Sequence, residues 1–137
     1  MKLDIALQEF YPHPIEKVWA ALTDPAALAV WLMMANDFEP SVGRRFTFRS
    51  DPNPGWRGRA ECEVLALEPP SRMVWSWLST DEGEPTRVEF RLESVSGGTR
   101  LTFEHTGETD AETRSRLTSG WQLRLAELGK QLARQTD

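Results

Sequence analysis

Residues 110–134, DAETRSRLTSGWQLRLAELGKQLAR, decide the fold. From about Asp110 the apolar residues fall into helical register, with Leu117, Trp121, Leu125, Leu128 and Leu132 recurring at spacings of three or four. That stripe predicts an amphipathic helix of about 25 residues, nearly 40 Å long at the rise of an α-helix. It is the one segment long enough to cover a broad apolar surface.

Upstream of it the period is two. Leu101, Phe103 and His105 share one face of a predicted strand, with Arg100, Thr102 and Glu104 on the other. Val88, Phe90 and Leu92 alternate in the same way with Arg87, Glu89 and Arg91, and Ser96-Gly97-Gly98 supplies a tight hairpin turn between the two strands. Met73, Trp75 and Trp77 form an apolar row opposite Arg72 and Ser76. Before them, Trp56, Gly58, Ala60, Cys62 and Val64 face one way and Arg57, Arg59, Glu61 and Glu63 the other, until Pro69-Pro70 ends the run. Phe46 and Phe48 mark a short strand. Asp51-Pro52-Asn53-Pro54-Gly55 reads as a turn, and Asp81-Glu82-Gly83-Glu84 as a polar loop.

The N-terminal part begins with a half-buried strand over residues 2–11, in which Leu3, Ile5 and Leu7 oppose Lys2, Asp4 and Gln8. Pro12 and Pro14 stop it, and Pro14 suits the first turn of a helix, where a missing N–H costs nothing. Ile15, Val18, Trp19 and Leu22 give that helix one apolar stripe. Thr23-Asp24-Pro25 ends it, caps and opens a second, short helix with Leu28, Trp31 and Leu32 on its inner face.

Five successive strands joined by short turns make an antiparallel meander, since parallel neighbours need long crossovers. Each strand is apolar on one face, and that buried face needs a cover. The predicted architecture is therefore α+β, a helix-grip. A curved antiparallel sheet of about six strands wraps a long C-terminal helix, and two short N-terminal helices close one end. One domain is expected over residues 1–137.

Composition narrows the partners. The net charge is −5, from 16 Lys+Arg against 21 Asp+Glu, and the arginines are interleaved with acids rather than gathered in a basic stripe, so no nucleic-acid partner is expected. Asp4 and Glu9 interrupt any signal-peptide core, and no run approaches the roughly 18 apolar residues of a membrane span, so a cytoplasmic location is expected. The single cysteine, Cys62, excludes an internal disulfide and suits a reducing compartment. An exposed edge strand, the first, is a surface on which a homodimer would form.

Several motifs together carry a resemblance. They are Pro14-Ile15-Glu16-Lys17-Val18-Trp19-Ala20-Ala21-Leu22-Thr23-Asp24-Pro25 followed by Trp31, Pro40-Ser41-Val42-Gly43, Trp56-Arg57-Gly58, and Glu68-Pro69-Pro70-Ser71-Arg72-Met73-Val74-Trp75-Ser76-Trp77. Further on come Gly98-Thr99-Arg100-Leu101-Thr102, His105-Thr106-Gly107 and Gly120-Trp121. In this order the chain resembles the activator of heat-shock-protein-90 ATPase homologue-like (AHSA-type) family of the START/Bet v 1-like (SRPBCC) superfamily. It departs from the family at Arg44, where a second glycine commonly follows Val-Gly. The superfamily includes hydrophobic-ligand carriers, aromatic polyketide cyclases and co-chaperone domains, so the resemblance implies a cavity more than a reaction.

The inward rings are wide and Gly58 and Ala60 are small, a combination that leaves room for a ligand between sheet and helix. The expected lining is Trp31, Met33, Phe48, Trp56 and Trp75, with Trp77, Phe103, His105 and Trp121. His105 is the candidate anchor or proton shuttle, because neutral imidazole donates and accepts near neutral pH. His13 reads as a turn residue and Cys62 as an inert buried thiol. Met33 and Met34 offer adaptable packing at a cavity entrance. Two histidines without an inward carboxylate cluster give a metal site no support, and neither a phosphate loop nor a nucleophile elbow is present, so no cofactor is expected. The leading expectation is non-catalytic binding of a small apolar or aromatic molecule. A cyclase- or dehydratase-type enzyme in the same cavity comes second, and a co-chaperone or protein-interaction module third.

Overall fold

A computed structural model describes residues 2–134 apart from Gly55 and Glu82. The parts of the predicted turn and loop that rest on those two residues lie outside the described residues. Chain order is β1 (Lys2–Tyr11), α1 (Ile15–Thr23), α2 (Pro25–Trp31), β2 (Ala35–Asn36), β3 (Arg45–Arg49), β4 (Arg59–Glu68), β5 (Arg72–Leu78), β6 (Thr86–Val95), β7 (Gly98–Glu108) and α3 (Ala111–Arg134). The strands form one antiparallel sheet in the order β1-β7-β6-β5-β4-β3-β2. This is the predicted helix-grip, with β1 on one edge. The additional strand is β2, two residues pairing with the end of β3, too short to show a period.

The caps follow the sequence. Pro14 precedes α1, and Asp24 caps α2 by accepting from the Ala27 N–H at 3.2 Å, with Pro25 in the first turn. At the start of α3, Asp110 Oδ1 accepts from the Thr113 N–H at 2.7 Å, which holds the Asp110 carboxyl below its ordinary value. The Trp31 indole donates to the Ala21 carbonyl at 2.9 Å and ties α2 to α1.

One predicted run starts late. β4 begins at Arg59, so Trp56 and Gly58 are not part of its inward row. Trp56 exchanges backbone hydrogen bonds with Asn53 and donates its indole N–H to Ser50 Oγ at 2.9 Å, which makes it a loop residue. The break falls at Gly58, whose φ of +101° lies in the left-handed region. A second irregularity, a register shift between Val64 and Ala66, leaves Leu65 exposed.

The inner face carries the core. Phe46, Phe48, Ala60, Val64, Met73, Trp75, Phe90, Leu101 and Phe103 are buried, and Trp121, Leu125, Leu128 and Leu132 of α3 lie against them. The outer face is held by charge. Buried Glu89 receives Arg72 Nε at 3.1 Å, Arg87 Nη1 at 3.0 Å and the Arg91 guanidinium. Burial pulls the Glu89 carboxyl upward, but the hydrogen bonds from Arg91 and Arg72 outweigh it, so its pKa lies below the usual value.

The hairpin turn after β6 brings the chain unusually close to the end of β1. A Cβ on Gly98 would stand 2.2 Å from the Tyr11 carbonyl oxygen and 2.9 Å from Pro12 Cα, both backbone atoms that cannot swing aside. Gly98→Ala is therefore expected to lower stability in urea by about 1–3 kcal/mol, the usual cost of overpacking. An unchanged unfolding midpoint would show that the approach does not matter.

Candidate functional site

The middle of the grip is filled. Trp75 meets Phe46, Phe48 and Phe90 at ring-centroid distances of 5.4, 5.5 and 4.9 Å, and Trp121 meets Phe103 at 4.5 Å and Trp77 at 5.6 Å. These tilted and edge-on contacts are the geometries that the ring quadrupole favours. Small Ala60 opposite Phe48, and Cys62 opposite Phe46, make room for the rings rather than for a void.

His105 belongs to this centre. It is fully buried, and its Nδ1 accepts the Trp121 indole N–H at 3.0 Å. Its Nε2 lies 2.7 Å from Thr86 Oγ1, and that hydroxyl donates to the Trp77 carbonyl at 3.1 Å. An acceptor at Nδ1 fixes the proton on Nε2, so the chain runs one way, from indole to imidazole to hydroxyl to carbonyl. It links α3, β7, β6 and β5. Burial pushes the His105 pKa down to about 4. Gly107 makes the link possible, because a Cβ there would stand 2.8 Å from Thr86 Cγ2.

Space remains at one end of the grip. A cleft of about 230 Å³ lies where the β3–β4 loop, the end of β5 and the first half of α3 diverge. Its apolar walls are Trp56, Trp77, Leu117 and Met34. Ser50, Asn53 and Ser79 add polar groups, and α3 contributes Thr113, Arg116, Gly120 and Arg124, a stripe beside its core stripe. A larger space of about 540 Å³ adjoins it, sharing Trp77, Ser79, Thr113 and Leu117 and bordered by Glu84, Glu108 and Asp110. For scale, an apolar cavity of about 150 Å³ holds benzene, so the smaller cleft suits one substituted ring or two fused ones. Trp77 is 4% exposed, and its indole N–H has no acceptor among the described residues.

Of the nine residues expected to line a site, Trp56 and Trp77 border this cleft. Trp31, Phe48, Trp75, Phe103, His105 and Trp121 are instead locked in the packed centre. Met33 points away. It is 48% exposed and has a positive φ of 61°, and that turn of the backbone delivers its neighbour Met34 to the cleft. Cys62 is buried, and burial, with Glu61 and Asp37 nearby, raises its thiol pKa well above the ordinary value. Arg44 holds its loop by donating to the Asp37 carbonyl at 3.0 Å. Sequence reasoning passed over Arg124. The available signal was Gly120, a poor helix former in the middle of the longest helix and one turn before it.

Among the described residues no group of His, Cys, Asp and Glu is arranged to hold a metal ion, and no helix is long and apolar enough to cross a membrane. A curved sheet closed on one long helix with a cleft at its end defines a helix-grip protein. The chain belongs to the family described as activator of Hsp90 ATPase homolog 1-like protein, whose model matches residues 12–133. It resembles the crystal structure of MLL2253 from Mesorhizobium loti, with 34% identity, a TM-score of 0.86 and 98% of each chain covered. CalU16 from Micromonospora echinospora is 28% identical with a TM-score of 0.73, over 96% of this chain and 76% of that one. DynU16, a protein of the dynemicin biosynthetic locus, shares the fold with a TM-score of 0.81 at 22% identity, and this chain spans 48% of its length. No curated protein matches.

The buried histidine gives a pH prediction. The unfolded chain takes up a proton on His105 near pH 6.5, whereas the native chain resists until about pH 4. Between these values the unfolded state binds more protons, so stability is fully present above pH 6.5 and falls as the pH is lowered toward 4, by on the order of 3 kcal/mol. Urea unfolding at pH 7.5, 6 and 5 is expected to show this decline, and His105→Gln is expected to flatten it. A variant with the wild-type slope would exclude His105 as its source.

Proposed function

We propose that the protein binds a small aromatic or apolar molecule in the cleft between the β3–β4 loop, the end of β5 and α3. The observation that carries this reading is the cleft itself. Two tryptophans, a leucine and a methionine form its walls, with a few polar groups, the composition typical of small-molecule sites. The rigid packing behind the cleft supports binding too, because a preorganised wall loses little entropy when a ligand settles on it. The His105 chain favours a structural role for the imidazole over proton transfer, since both its nitrogens are engaged inside the protein.

Titration with small aromatic probes is expected to quench tryptophan emission saturably, because Trp56 and Trp77 border the cleft. Trp56, being only partly buried and outside the sheet, tolerates truncation, so Trp56→Ala is expected to weaken binding about tenfold while the circular dichroism spectrum stays unchanged. If no aromatic probe produces saturable quenching, the cleft is not a binding site.

A further inference from the structure

We infer that the ligand is an anion, and that Arg124 binds its carboxylate or an equivalent acidic oxygen. This assignment rests on the cleft being the binding site. Three observations lead to it.

The first is the charge of the lining. In a chain with 21 acids and 16 bases, the charged residues of the smaller cleft among the described residues are Arg116 and Arg124, and no described carboxylate lines it. The glutamates and aspartate of this region border the adjoining larger space instead.

The second is pairing. Arg116 is neutralised within its own helix, Nη2 to Glu112 Oε1 at 2.7 Å. Arg124 has no acidic partner among the described residues. Its Nε donates to the Leu32 carbonyl at 3.0 Å, one of the acceptors left free at the C-terminus of α2. That bond orients the guanidinium and leaves both Nη groups without a partner among the described residues, and they are the edge that binds a carboxylate through two parallel hydrogen bonds. Burial lowers the Arg124 pKa, the mark of a cation partly removed from water without a counter-charge, and an incoming anion would supply one.

The third is Gly120. It sits inside α3, where glycine costs about 1 kcal/mol relative to alanine. A Cβ there would meet nothing but Arg124, with Nη1 at 2.7 Å and Cζ at 3.9 Å. The glycine is thus not needed for a close approach of helix and sheet. It clears the helix surface for the guanidinium to lie along the cleft.

Calorimetric titration of the wild-type protein with 2-naphthoic acid and with 2-naphthamide tests the assignment at pH 7. The acid is expected to bind at least tenfold more tightly than the amide. Arg124→Gln is expected to erase that preference and leave amide binding within about threefold of wild type. Gly120→Ala, whose methyl takes the place of Nη1, is expected to reduce the preference while its thermal midpoint holds or rises. The wild-type comparison and Gly120→Ala decide the matter even if Arg124→Gln does not fold. Equal affinity for acid and amide in the wild type, or an undiminished preference in both variants, would overturn the role of Arg124 and leave the cleft standing as an apolar site. Binding of neither compound would remove the cleft reading, and the anion assignment with it.

Discussion

The docking of Trp121 is the contact on which the rest depends. A one-sided sheet is stable only when its apolar face is covered, and α3 is the one element with the length to do so. Trp121 makes that cover specific. Its ring lies against Phe103 and Trp77, while its N–H is used by His105 Nδ1, so helix position and rotation are set together. An apolar stripe alone would allow α3 to slide or turn. A directional hydrogen bond in a buried setting does not, because leaving the indole and imidazole unpaired there costs about 1–3 kcal/mol for each group. Tyr11 repeats the device four residues along, donating its hydroxyl to the Leu125 carbonyl at 2.8 Å and tying the end of β1 to the same helix. With α3 fixed at these two points, the cleft at its N-terminal half has a fixed wall.

Period and punctuation made most of the frame legible. The alternation over residues 86–105 and the three-four spacing from Leu117 to Leu132 locate β6, β7 and α3, and Asp24-Pro25 marks the boundary between the small helices. Legibility failed where the backbone leaves its period. Trp56 continues an alternating pattern on paper, but the left-handed Gly58 lies between it and the strand. Met33 and Met34 are chemically equivalent in the sequence, and a single positive φ decides which faces inward.

The site was less legible than the fold for a similar reason. Inward direction is a property of one strand, whereas lining a cleft depends on what stands opposite. Phe48, Trp75 and Phe103 do point inward, but Phe48 and Trp75 meet each other and Phe103 meets Phe90 and Trp121. Arg124 lies off the core stripe of α3, so hydropathy places it on a solvated face. Its orientation depends on a carbonyl 92 residues away and on the missing side chain at Gly120. The first is invisible to any local pattern, and the second shows only as a glycine in mid-helix.

The division between centre and cleft explains why family membership gives a fold more readily than a ligand. The motifs by which the chain resembles its family coincide with the parts that build the grip. Pro14 and Asp24-Pro25 start the small helices, Gly98 admits the Tyr11 backbone, Gly107 admits Thr86, and His105 and Trp121 fasten α3. The polar residues of the cleft, among them Ser50, Asn53, Thr113 and Arg124, lie outside those motifs. They stand on a loop and on the free flank of a helix, where a substitution disturbs little of the core. Gly120, like Trp56 and Trp77, is a motif residue that also borders the cleft. A Cβ there would displace the Arg124 guanidinium, so an alanine would gain helix propensity at the expense of that placement. Within one chain, the packed rings thus fix the frame, while Arg124, on the flank of α3, is a side chain that the frame merely orients.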